Sequence, residues 1–133
     1  MEWLDRTLIV SPIFYGLCLN DKDFQKELKK LKIEEHVNFL LTDTANATAH
    51  FFTKDNKTAS VVCLGDVKGQ TLEQVYAILV HEATHLWQAI KDEMGEKTPS
   101  IEFEAYSIQT LSQNLFYSYK EQKRKVLLAK RKK

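Results

Sequence analysis

Residues 81–85 read His81-Glu82-Ala83-Thr84-His85. On an α-helix, side chains at i and i+4 lie one above the other on a single face, so both imidazoles can reach one metal ion. Neutral imidazole is a good ligand for Zn²⁺, and three protein ligands plus a water is the common catalytic arrangement. Glu82 stands beside them, where its carboxylate can take a proton from a water activated by the metal. The chain has four His and eleven Glu, so this spacing arises by chance with odds of about one in a hundred. The simpler alternative is two histidines on a half-exposed helix face with a solvated glutamate between them. The context favours the metal: Leu72, Val75, Leu79 and Leu86 give the helix a buried side, and residues 78–80 make the approach apolar.

A third ligand has several sources. His36 and His50 have no partner spacing. Glu102 and Glu104 follow His85 by 17 and 19 residues, enough for one helix to end and a second to return past the metal. In that second helix Ile101, Ala105, Ile108, Ser112 and Leu115 form a mostly apolar stripe, while Glu102, Tyr106 and Gln109 line the adjoining face. Such a polar line suits one ligand and the groups that orient it. Glu102 is the preferred third ligand. Glu104, about 200° further round, is the alternative and cannot easily serve together with it. Either glutamate could instead be a solvated first-turn carboxylate.

The elements that must position these groups follow from pattern and punctuation. Residues 7–19 read as a buried strand or the first turns of a helix. Asp21 is the expected cap for a helix over 22–32. Residues 37–41, 47–53 and 58–64 read as strands, the last two as an antiparallel hairpin across the polar turn at 54–57. Thr71 opens the helix that carries the histidines, with Glu73 and Gln74 as capping partners, and Gly95 ends it. Pro99 and Ser100 begin a last long helix through about Tyr119, with continuation into the basic tail left open. The class is α+β.

Composition bounds the reading. At 133 residues, 44% hydrophobic, with four Gly and two Pro, the chain is expected to form one compact domain over 1–119. No apolar run reaches the roughly 20 residues that span a bilayer. Residues 8–19 are apolar, but Glu2 and Asp5 precede them and no cleavage pattern follows, so they are expected to belong to the fold and the protein to the cytoplasm. Cys18 and Cys63 are expected to be free buried thiols. The net charge of +1 conceals a division. Residues 120–133 hold eight Lys+Arg and one acid, net +7, which leaves residues 1–119 with 11 basic and 17 acidic residues, net −6. The basic tail is either a solvated extension or a contact for nucleic acid or an acidic partner.

The combination of residues 81–85 (HEATH) with residues 102–106 (EFEAY) resembles the zincin metallopeptidases, in particular the gluzincin branch. The broader pattern over residues 74–119, about a third of the chain, looks like that of small metallopeptidase-like proteins of bacteriophages and prophages, which implies the cytoplasm of a bacterial host. The resemblance implies one Zn²⁺ on His81, His85 and Glu102, with Glu82 as general base for peptide hydrolysis. It places Tyr106 where the family carries an acid, so orientation of a histidine would fall to Asp92 or Gln109. It implies a helix, a small antiparallel sheet, the motif helix and a C-terminal helix, with the edge strand, 47–53 or 58–64, taking an extended peptide. Tyr106, Tyr117 and His50 are candidates to stabilise the oxyanion. A zinc-binding adaptor or inhibitor of a host protein, without turnover, is the competing expectation.

Overall fold

The computed structural model describes residues 1–4 and 11–132. Its elements are β1 (Ile13–Cys18), α1 (Asp21–Lys30), β2 (Ala47–Lys54), β3 (Lys57–Leu64), α2 (Leu72–Glu93) and α3 (Ile101–Arg131). The expected α+β class holds. Residues 7–10 of the first expected element lie outside the described residues; the remainder contains strand β1.

The sheet has the order β1-β3-β2. β2 and β3 form the expected antiparallel hairpin, but β1 runs parallel to β3, so the sheet is mixed rather than wholly antiparallel. The connection between them runs through α1 and the reversed strand β2, long enough for the chain to return in the same direction. β3 is therefore central, and the range 58–64 is not an edge.

Strand alternation gives the sheet two buried faces. On one, Ile13, Tyr15, Leu17, Val62 and Leu64 pack against Val75, Leu79, Ala83, Leu86, Trp87 and Ile90 of α2 and Leu111, Leu115 and Tyr119 of α3. On the other, Cys18, Val61 and Cys63 pack against Phe24 and Leu28 of α1. Both cysteines are free, as expected. Burial pushes the Cys18 thiol up to about 12 and raises that of Cys63 as well, so both are inert apolar fillers.

Residues 37–41 form no strand. Their backbone polar groups are taken by side chains instead of a ladder. Gln25 donates to the Val37 carbonyl (3.0 Å), His50 Nε2 donates to that of Phe39 (2.8 Å), and the Leu41 amide donates to Thr48 Oγ1 (2.9 Å). Asn20, one residue before the expected Asp21, caps α1 by accepting from the Asp23 amide at 2.8 Å.

Local chemistry sets the ends of α2. Thr71 and Gln74 form a reciprocal capping box. At the other end Gly95, at φ 72°, allows the Gly95 amide to bond Asp92 and the Glu96 amide to bond Lys91. α3 takes the longer of its two expected extents. It continues through the basic segment to Arg131, held by Gln122 on the Leu17 carbonyl (2.8 Å) and Asn114 on the Tyr15 hydroxyl (2.7 Å). No helix among the described residues is long and apolar enough to cross a membrane.

The hairpin turn places Asp55 and Asn56 at φ 54° and 62°. Left-handed backbone at two successive residues matches the right-handed twist of the strands. Replacing Asn56 by Gly should leave the melting temperature unchanged or higher. Replacing it by Val should cost about 1–2 kcal/mol, measured by urea unfolding.

Candidate metal site and its pocket

The rotation of α2 determines where the motif points. Val75, Leu79, Ala83, Leu86 and Ile90 form the buried stripe. His81 and His85 fall on the rim of that stripe and are exposed, while Glu82 is only 5% exposed. The two imidazoles converge: His81 Nε2 and His85 Nε2 are 3.2 Å apart. With metal–nitrogen bonds of about 2.0–2.1 Å, that separation corresponds to an N–metal–N angle of roughly 100–106°, near tetrahedral. The pair therefore fits two corners of a zinc coordination sphere.

His85 Nδ1 is 3.1 Å from Gln88 Oε1. With the amide oxygen accepting, Nδ1 carries the proton and Nε2 presents its lone pair toward His81, the tautomer a metal ligand requires. Gln88 recurs on the same face one turn later, a spacing readable in the sequence once Nδ1 is asked for a partner.

The pocket beside the pair, about 460 Å³, is walled by β2 across from α2. Ala47, Ala49 and Phe51 face it from the strand, with Leu41, Thr42 and Ala45 closing one end and Gln88 and Asp92 the other. Glu82 lies in the same pocket. Burial raises its carboxyl above the usual carboxylate range; the positive potential of His81 and His85, the Ala49 amide and His50 pull in the other direction.

The other residues singled out from the sequence stand elsewhere. Glu104 accepts a hydrogen bond from Trp87 Nε1 at 2.8 Å, and Phe103 packs edge-to-face on the same indole. Trp87 is about 200° round the helix from His85, so the first turn of α3 clasps the flank of α2 away from the imidazoles. Glu102, Tyr106 and Gln109 are exposed on α3 and do not line the pocket. The structure thus does not bring Glu102 to the histidines. Among the described residues no third His, Cys, Asp or Glu joins them within metal-ligating reach. His50 is stacked on Phe24 (4.8 Å) with Nε2 committed to the Phe39 carbonyl, and the exposed His36 bonds Asn38. Tyr117 lies on an exposed face of α3, away from the pocket.

Two outcomes follow. A buried carboxyl whose folded pKa is raised contributes most to stability below its unfolded value, and that contribution is lost as pH rises through the folded value. In metal-free protein, Glu82→Gln should therefore raise the melting temperature at pH 8, by about 3–5 °C per kcal/mol relieved. The gain should vanish near pH 4, as calorimetry across that range would report. Glu104→Ala should cost about 1–3 kcal/mol by leaving the buried Trp87 N–H unpaired, whereas Glu102→Ala should change stability by less than about 0.5 kcal/mol; both are read from denaturant midpoints. No protein-family model, curated protein or solved structure matches this chain.

Proposed function

We propose that the chain is a zinc-dependent hydrolase of peptide bonds. The observation that carries this reading is the convergence of His81 and His85 to 3.2 Å in the pocket that also holds the buried carboxyl of Glu82. His81 and His85 supply the protein ligands, with Gln88 fixing the tautomer of His85. Zinc supplies Lewis acidity when bound, lowering the pKa of a water and polarising a carbonyl. Glu82 takes a proton from the attacking water and returns it to the leaving nitrogen. A carboxyl raised by burial suits both halves of that transfer, because its affinity for the proton lies closer to neutrality. Helix spacing and the gluzincin resemblance both point to Glu102 as a third ligand; because Glu102 does not line the pocket, His81 and His85 would hold the zinc without it.

The substrate class follows from β2. It is an edge strand, and no further described strand pairs with it. Small residues, Ala47 and Ala49, leave room over the pocket for an extended peptide that adds to the strand by main-chain hydrogen bonds. A competing reading, a zinc-binding protein without turnover, is favoured by the exposure of both imidazoles, which leaves little to exclude water. In that reading α3, still helical through its basic end, serves as the contact for an acidic partner or nucleic acid.

Zinc content by atomic absorption and hydrolysis of a quenched fluorescent peptide library separate these readings. His81→Ala and His85→Ala should each lose zinc. Glu82→Gln should retain it and lose at least about 100-fold in rate, while Glu102→Ala should keep both zinc and rate. Zinc binding with no cleavage of any peptide would favour the second reading. A fully active Glu82→Gln variant would refute the general-base role.

A further inference from the structure

A second groove lies on the α1 side of the sheet, at the end of the hairpin and away from the histidines. Its floor is a cross-strand row. Phe14 and Phe52 both stand opposite Ala59 in the register, so a small residue leaves a notch between two phenyl rings. Leu31 and Ile33, from the C-terminal end of α1 and the turn after it, form one wall, and Trp3 closes one end. The groove has a volume of about 520 Å³, room for more than one large side chain. Trp3 is 40% exposed and Phe14 38%, so two large aromatics face solvent together.

The charge around it is one-sided. Among the described residues that line it, Lys30, Lys32, Lys54 and Lys57 stand against a single carboxylate, Asp55. This cluster occurs in a segment, residues 1–119, whose net charge is −6. Lys30 is partly engaged by Glu27 at 3.3 Å, and Lys54 donates to the Lys32 carbonyl at 3.3 Å. The side chains of Lys32 and Lys57 make no hydrogen bond or ion pair with a described residue. An apolar trough rimmed by cations selects a ligand that is apolar in the middle and anionic at its flanks.

We propose that this groove docks an acidic peptide segment whose apolar side chains fill the notch over Ala59, with its carboxylates on Lys32 and Lys57. Single-stranded nucleic acid fits less well. It needs successive stacking faces along a continuous cationic track, whereas here aliphatic walls enclose a short trough. The proposal is independent of hydrolysis at the histidine site.

Fluorescence anisotropy in EDTA, which silences any zinc chemistry, tests it on the full chain. The probe is a fluorescein-labelled peptide with one phenylalanine and one leucine flanked on both sides by glutamates. Saturable binding is expected. It should weaken about tenfold or more when the flanking glutamates become lysines, and by a similar factor when the two apolar residues become alanine. On the protein side, the double variant Lys32→Glu, Lys57→Glu alters only exposed positions, and Ala59→Met fills the notch. Each should weaken binding about tenfold, with circular dichroism confirming the fold. No saturable binding, binding indifferent to the lysine reversal, or tighter binding of a labelled oligothymidylate than of the peptide would overturn the proposal.

Discussion

Burial of Val75, Leu79, Ala83, Leu86 and Ile90 against one face of the sheet fixes the rotation of α2 about its axis. Once that stripe is buried, the helical period leaves no freedom in the rest. His81 and His85 must lie on the rim, one above the other, and Glu82 must turn inward beside the strand. The same burial that supplies stability, at roughly 25 cal/mol per Å² of apolar surface removed from water, strips water from the Glu82 carboxyl and raises its proton affinity. The fold thus sets the chemistry of the site through packing alone, and the ionised glutamate is a local cost that the apolar stripe offsets.

The hydrophobic period makes the two elements that carry the site, the hairpin and α2, legible in the sequence. Both ends of α2 were legible too, because Thr71, Gln74 and Gly95 each have one strong structural use. What could not be read was the side of α2 on which α3 would pack. Glu102 and Glu104 lie at suitable distances along the chain, but Trp87 decides the matter by taking Glu104 on the flank opposite the imidazoles. Residues 37–41 misled for a related reason: their apolar content suits a strand, yet Gln25, His50 and Thr48 take up their backbone groups first. Long-range side-chain choices of this kind have no periodic signature. The parallel pairing of β1 is hidden similarly, since strand direction depends on the connection through α1 and β2 rather than on the strand itself.

Charge is organised at the same scale. Among the described residues the histidine pocket on one side of the sheet is lined by two carboxyls, Glu82 and Asp92, and no lysine or arginine, while four lysines gather at an apolar groove on the other. The basic end of α3 is helical, and its Val126, Leu127 and Leu128 are exposed among lysines and arginines. A net charge near zero is compatible with three separate electrostatic surfaces, each with its own preference for partners.

The central claim is that His81 and His85 share one metal ion. X-ray absorption at the zinc edge of the zinc-loaded protein tests it most directly. The account predicts a first shell of nitrogen and oxygen only, at about 2.0–2.1 Å, with the outer-shell scattering of two imidazoles. A shell containing sulfur, or one with no imidazole scattering, would contradict it.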